Sequence, residues 1–495
     1  MQADYWLTRF WFQRGLGFIY FIGFLILLNQ FRALCGENGL LPARLFLKRI
    51  DFWDSPSLFF ISSSDRFLWA MAALGLLLSV SAMTGLSDAF GLVPSLLVWA
   101  ALWALYLSFV NIGQTFYGFG WETLLCETGF LAIFLGPTRA APPVIVIWLL
   151  RWILFRLMFG AGLIKIRGDE CWRDLTCMKY HYETQPMPNP LSWYFHQQPM
   201  WIHKAGVLFT HVVELVVPFL YFGPSKIRHA AGILTIVFQA TLILSGNLSW
   251  LNYITIVIAI ACFDDSILPS FGQAKLFPPL EGLLPVPQAA ADTALPPGVT
   301  LALAALVGVL SIRPVMNLLS RAQMMNTSFD SLHLVNTYGA FGSITRERYE
   351  LVIEGSDDAI VTPQTKWREY LFKGKPSEPE RTPPVVSPYH LRLDWQMWFA
   401  AMSPYRDHPW ILNLVSKLLQ GDRATLGLVR GNPFGEKPPR HVRVEHYLYR
   451  FAPPGSRETW TRTRVASYLP PLSLDQPAFR EMLETQGWLP EGATR

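Results

Sequence analysis

Apolar and polar residues come in blocks along this chain, and the blocks change character once. Down to residue 312, apolar stretches of about 15 to 22 residues recur, near the length that carries a helix across a bilayer. They fall near residues 15–29, 67–86, 91–110, 118–136, 143–165, 205–222, 229–246, 249–263 and 298–312. The expected fold is a multi-pass α-helical membrane bundle of about nine spans, the first, fourth and eighth being short or polar. Segment 266–297 is rich in Pro and Leu without a continuous span and reads as a loop or re-entrant piece. From Asn326 onward the period changes to two. Residues 332–338, 349–354 and 441–450 alternate as half-buried strands do, with a helix between them at 410–420. The expected division is a helical membrane domain over 1–314, a connector at 315–325, and a C-terminal α+β, strand-rich soluble domain over 326–495.

Composition agrees with that division. Of 495 residues, 51% are hydrophobic and 16% charged, against about 25% charged in a soluble protein. Mean hydropathy is +0.26 although the last third is polar. These values exclude a disordered chain, a secreted disulfide scaffold and an ordinary cytosolic enzyme. A net charge of +5 with no Lys/Arg run excludes a nucleic-acid surface. Arg9 and Arg14 precede the first apolar stretch, but Asn29, Gln30, Phe31 and Arg32 follow it, with no small-residue cleavage pair. This is expected to be a retained first span. Loops 30–66 and 166–204 both carry several Lys and Arg, so the positive-inside count slightly opposes a cytoplasmic N-terminus.

Ionisable residues inside spans are costly and are usually functional or paired. The fourth span holds Glu122 and Glu127, about 140° apart on a helix, and the fifth holds Arg151, Arg156 and Lys165. Charge balance predicts that the glutamates pair with these arginines across the helix interface. A structural ion-pair lock is the first reading, a substrate or proton site the second. In the sixth span His203, Thr210, His211 and Glu214 share one face, with His211 and Glu214 one turn apart. A di-metal site needs such a motif from two helices plus further carboxylates; a polar seam between helices is expected instead, and no metal. The loop after the fifth span carries Cys171 and Cys177, Trp172, and His181-Tyr182-Glu183 before prolines at 186, 188 and 190. The two cysteines are neither a C-x-x-C pair nor half of a zinc site. They are either a local disulfide or two buried thiols. The prolines stiffen the segment, which suits a docking surface or a cap over the bundle that presents Trp172, His181, Tyr182 and Glu183. The chain has no P-loop, dinucleotide fingerprint, G-x-S-x-G or H-E-x-x-H motif. No cofactor is expected.

These segments resemble the lipase maturation factor family of polytopic membrane proteins. The resemblance is carried by residues 113–122, by the loop from Cys171-Trp172 to Pro199, and by 246–252. In the polar region it continues through 336–342, 345–350 and 353–358, and most specifically through 388–399, which holds His390, Arg392, Asp394, Trp395 and Trp398. Together they cover roughly residues 5–475 in one order. The resemblance implies a membrane-resident folding factor that helps secreted lipases reach an active, assembled state. In animal members it sits in the endoplasmic reticulum with the C-terminal domain in the lumen. The Ala493-Thr494-Arg495 end shows no retrieval signal for that compartment. The expected site is therefore an inner (plasma) membrane for a bacterial member, or the endoplasmic reticulum membrane for a eukaryotic one. The helical part is also distantly similar to the bundles of vitamin K-dependent carboxylases and DoxX-like proteins, a fold-level likeness that transfers no catalytic residue.

Two classes of function follow. The first is a non-enzymatic maturation factor that assists folding or assembly of secreted, lipase-like clients. The second is a membrane enzyme or lipid-handling protein whose site is the charged intramembrane seam. Charges closed on one another favour the first; an open pocket with convergent polar groups favours the second. Expected partners are membrane lipids and secreted lipase or other exported client proteins, and no nucleic acid. An extracytoplasmic C-terminal domain follows from the resemblance, and requires an odd number of spans if the N-terminus is cytoplasmic. Anchor candidates in that domain are Arg346, Glu350, Arg392, Asp394, Trp395 and Trp398. Arg392 and Asp394 are expected to make internal ion pairs that orient their segment against the bundle or the loop of Cys171 to Pro190.

Overall fold

The computed structural model of the protein describes residues 4–137, 140–267 and 295–489. The 266–297 segment read as a loop or re-entrant piece lies almost entirely outside the described residues. Among them, seven helices are long and apolar enough to cross a membrane: α1 (Trp6–Cys35), α2 (Asp65–Thr84), α3 (Leu92–Ile112), α5 (Val144–Arg167), α6 (Met200–Leu220), α7 (Ser225–Ser245) and α9 (Pro297–Leu319). Two shorter ones, α4 (Gly120–Ala132) and α8 (Leu251–Cys262), complete the series. Both fall on the fourth and eighth apolar stretches, the polar or short ones of the sequence.

The connecting segments fall into two groups that alternate along the chain. At one end of the bundle, the Asp265 carboxylate accepts the backbone N–H groups of Trp6 (2.9 Å) and Leu7 (3.1 Å). There too Gln13 donates to the Gly136 carbonyl (3.1 Å), Arg14 pairs with Asp88 (2.7 Å) and Arg228 pairs with Asp264 (2.6 Å). At the other end, the segments after α1, α3, α5 and α7 all touch the C-terminal domain. Asn413 donates to the Leu40 carbonyl (2.9 Å), Gln396 to that of Thr115 (2.5 Å), and Asn247 to that of Pro384 (2.9 Å). Arg346 pairs with Asp169 at 2.7 Å. The N-terminus and the C-terminal domain therefore lie at opposite ends of the bundle.

Outward faces of the helices are apolar: Trp69, Leu77 and Val80 on α2, Leu208 and Val216 on α6, and Leu301 and Val309 on α9 are all exposed. Apolar area on this scale marks a surface that meets lipid rather than water. The protein is an integral membrane protein.

Two helices carry a π-turn, and each of the two places a polar side chain. A π-turn at Leu27–Phe31 carries Gln30 inward. A second, Val212–Val216, carries Glu214. It precedes Pro218, which lacks the N–H that the Glu214 carbonyl would accept in a regular helix.

The C-terminal domain is built on a four-stranded antiparallel sheet of β1 (Arg348–Ser356), β2 (Arg368–Glu369), β3 (His441–Phe451) and β4 (Trp460–Leu472), in the order β2-β1-β3-β4. β1 pairs with β3 along its whole length, from Arg348 opposite Tyr449 to Ser356 opposite His441. Helices α10 (Arg392–Ala400), α11 (Trp410–Leu419) and α12 (Pro477–Thr485) also belong to the domain. Two expectations are corrected in detail. Of 332–338 only Asn336–Thr337 is a strand, paired with Thr327–Ser328, because His333 takes a left-handed conformation (φ 54°). β4 was not expected: as an edge strand it exposes most of Thr461 to Ser467 and so lacks a clean alternation.

Candidate functional site

Charged residues lie at both ends of the bundle, and those of α4 and of the later turns of α5 sit where it meets the C-terminal domain. Glu127 and Arg156 pair across the α4–α5 interface, both almost wholly buried. The same carboxylate accepts the backbone N–H of Asn336 (3.0 Å), its side-chain amide (3.1 Å) and the Tyr338 hydroxyl (2.6 Å). Arg156 also donates to the Asn336 carbonyl. One helix–helix ion pair thus clamps the chain that leaves α9. That chain runs close against α5: a Cβ at Gly160 would overlap the Tyr338 carbonyl, and one at Gly168 the carbonyl of Gly342. Only glycine leaves room for backbone to approach so closely.

Glu122 does not pair with an arginine of α5, as its position next to that span suggested. Its partner is Arg392, the first residue of α10, at 2.8 Å, with both side chains inaccessible to solvent. Tyr106 donates to the second carboxylate oxygen of Glu122. The Arg392 guanidinium lies 3.6 Å from the centroid of the Tyr117 ring and donates to the Phe116 carbonyl at 2.8 Å. Its backbone N–H donates to the Gln30 side chain (3.0 Å). A helix of the soluble domain therefore plants its first residue in the membrane bundle. Removing one partner of such a pair typically costs about 3–5 kcal/mol, because it leaves a buried charge uncompensated.

Asp394 makes no side-chain ion pair among the described residues, which corrects the expectation for it. Its carboxylate accepts the backbone N–H groups of Gly374 (2.6 Å) and Lys375 (3.0 Å). Burial raises its pKa, and those two donors oppose the rise. Trp395 is buried among Phe119, Trp121 and His390, while Trp398 donates its indole N–H to the Thr184 carbonyl (2.9 Å). Burial, and secondarily Arg392, keep His390 neutral by pushing its pKa well down.

Arg151 also meets no carboxylate among the described residues. It donates to the Tyr5 hydroxyl (3.0 Å) and to the Ala261 carbonyl near the end of α8 (2.8 Å). Lys165 pairs with Glu214 of α6 at 2.5 and 2.6 Å. The sixth-span face therefore divides its partners: Glu214 takes Lys165, His211 bonds the Trp172 carbonyl (2.9 Å), Thr210 donates to the Gly206 carbonyl (2.9 Å), and His203 lies beside Tyr182. Among the described residues no three His, Cys, Asp or Glu side chains converge as metal ligands.

The loop after α5 is a packed element rather than a free surface. Cys171 and Cys177 are joined as a disulfide with Cα atoms 4.7 Å apart. Trp172, His181 and Glu183, taken as surface positions in the sequence, are 2%, 6% and 5% exposed, and Tyr182 is only half-buried. Trp172 donates to the Phe341 carbonyl (2.9 Å), and Glu183 accepts the Phe451 N–H (2.7 Å) and pairs with Arg450 (3.2 Å). Burial, and then Lys165, lower the His181 pKa to about 4, so its ring is neutral at pH 7. Arg346 reaches the loop through Asp169. Burial alone would raise the Asp169 pKa, but the Arg346 bond and the N–H groups of Cys171 and Ile344 bring it below the usual range.

Sequence reasoning missed Arg348. It donates to the carbonyls of Glu183 (3.0 Å), Gln185 (2.5 Å) and Pro186 (3.1 Å) and pairs with Glu350 (2.5 Å), which Lys375 also meets at 2.8 Å. Proline-rich backbone offers carbonyls without matching N–H donors, but Arg348 lies more than 160 residues away in the sequence, so only the fold brings the two together.

Comparison with known proteins agrees with this two-part construction. The family model for the lipase maturation factor transmembrane domain matches residues 7–270, and that for the lipase maturation factor C-terminal domain matches 334–470. Lipase maturation factor 1 of Homo sapiens is 46% identical over 98% of this chain and 91% of its own length. The Mus musculus protein of that name is 45% identical over 100% and 92%. Lipase maturation factor 2 of Homo sapiens is 30% identical over 97% and 85%. No solved structure matches the chain. With both domains matched in order and relatives aligned across nearly their whole length, the chain belongs to the lipase maturation factor family.

Proposed function

We propose that this protein is a membrane-resident maturation factor that assists the folding or assembly of secreted, lipase-like clients. The similarity to proteins named for lipase maturation, at 46% identity over nearly the full length, carries this reading. The site geometry supports it. The intramembrane charges close on one another or on backbone carbonyls, which suits a rigid support for a client-facing domain better than a site for a charged substrate.

The C-terminal domain works outside the cytoplasm, in the endoplasmic reticulum lumen of a eukaryotic host or beyond the inner membrane of a bacterium. One feature supports this side: the domain packs on the loop of the Cys171–Cys177 disulfide, and such a bond persists in oxidising compartments. A reporter active only in the cytoplasm, fused after the C-terminus, gives no signal on this account.

The function is tested by expressing a secreted lipase in cells lacking any such factor, with and without this chain. The expected result is a several-fold gain in specific activity of the secreted lipase at equal total lipase protein. Equal specific activity in the two cultures would overturn the proposal.

A further inference from the structure

Beneath the C-terminal domain lies a cavity of about 500 Å³ that enters the membrane bundle between α5, α6, α7 and α8. Its size falls within the ~300–1,000 Å³ of ordinary small-molecule sites. Trp121, Trp395 and Trp398 form its upper wall, and Leu157, Met158 and Phe238 line it further down. Leu157 lies roughly 15 Å along α5 from Arg167, at about 1.5 Å per residue. The cavity therefore reaches about half-way through a hydrocarbon layer of ~30 Å.

The charged and hydroxyl side chains deepest in the wall are already engaged by the protein. Lys165 and Glu214 hold each other at 2.5 Å, Thr210 donates to Gly206, and Thr255 donates to the Leu251 carbonyl at 2.7 Å. What remains facing the lumen is mostly hydrocarbon and aromatic surface, with His181 and the amides of Gln239 and Asn252 as its polar points. Three large apolar lining residues, Met325, Phe399 and Met402, are exposed, at 46%, 37% and 43%. They stand where the helices meet the C-terminal domain, at headgroup level.

We infer that this cavity binds one acyl chain of a membrane phospholipid, its headgroup remaining at the rim of Met325, Phe399 and Met402. The depth suits an extended chain, and the volume suits one chain rather than two. Leu208, Val212 and Val237 on the outer faces of α6 and α7 are exposed, so two of the helices that wall the cavity also face the bilayer that supplies the lipid. The bound chain would fill the space between the bundle and α10, and so join lipid occupancy to the seating of the C-terminal domain. This inference does not depend on what the client is.

The test is photocrosslinking of the full-length protein in phosphatidylcholine vesicles that contain a phosphatidylcholine with a diazirine near one acyl terminus. The expected outcome is label on Leu157, Met158 or Phe238. Filling the cavity with Ala161→Trp should lower that label at least fivefold, while Val309→Trp on the outer face of α9 leaves it unchanged. Thr255→Phe fills the cavity from α8 and guards against misfolding of the first variant. Label confined to Leu208, Val212 and Val237 in the wild-type protein would overturn the inference. So would label on the inner residues by a diazirine-bearing apolar peptide or free fatty acid and not by the phospholipid.

Discussion

The C-terminal domain meets the membrane bundle along an inner seam and an outer rim, and the two are built differently. On the inner seam Glu122–Arg392, Glu127–Arg156 and Arg348–Glu350–Lys375 expose 2% or less of any side chain. On the outer rim the arginines stand 43% exposed in Arg346–Asp169 and 41% exposed in Arg450–Glu183. The same residue types thus do different work. Exposed pairs contribute about 0–1 kcal/mol. A buried pair adds little against a hydrophobic replacement of both partners, but losing one partner is severe, so the inner seam enforces one register between domain and bundle.

The comparison breaks most visibly at Arg392. Arg392→Met leaves Glu122 buried with only Tyr106 as a donor, and should destabilise the docked state by about 3–5 kcal/mol. Thermal unfolding in detergent checks it, with faster proteolysis at the junction near residue 325. Glu127 is the contrasting case: its partner is in the neighbouring helix, so the pair could be anticipated from opposite charges on adjacent spans. Glu122 sits one turn and a half away on the same helix, yet its partner comes from a domain 270 residues further on. No spacing rule connects them. The motif around Arg392 suggested an internal ion pair without saying with whom.

A smaller effect is expected at the disulfide. Cys171→Ser opens a loop closed over a sequence separation of 6 and should cost about 2 kcal/mol by chain entropy. Alkylation without reductant followed by mass spectrometry should leave both thiols unlabelled in the wild-type protein. This loop was the hardest segment to read. His181 and Glu183 look like surface residues because nothing in their immediate neighbourhood is apolar enough to bury them. The structure buries Glu183 under strands more than 160 residues away, through Phe451 and Arg348, and packs His181 against Phe341.

His181 sharpens the same point by pH. Its folded pKa of about 4 is below the ordinary 6.5, so the folded state binds fewer protons than the unfolded one between those values. Stability is fully present above pH 6.5 and falls as pH drops towards 4, by about 2 kcal/mol from pH 7 to pH 5. His181→Phe should flatten that part of a pH–stability profile.

The smallest effect is expected at the rim. Arg346→Met removes an exposed pair and should shift stability by less than about 1 kcal/mol, with unchanged junction proteolysis. An effect there as large as that of Arg392→Met would dissolve the distinction between seam and rim. The architecture itself was legible, because spans announce themselves by length and strands by alternation. The side-chain pairing was legible only where partners lie on consecutive helices; Arg151 shows the limit, since its partners are a tyrosine hydroxyl and a backbone carbonyl that no charge count reveals.

The most direct test of the inner seam is a double-mutant cycle of Glu122→Gln and Arg392→Met, read as unfolding free energy of the full-length protein in one detergent. If the buried pair locks domain to bundle, each single variant loses about 3–5 kcal/mol and the double variant loses far less than their sum. Losses that add within about 0.5 kcal/mol would show that the two side chains act independently, and would contradict the account.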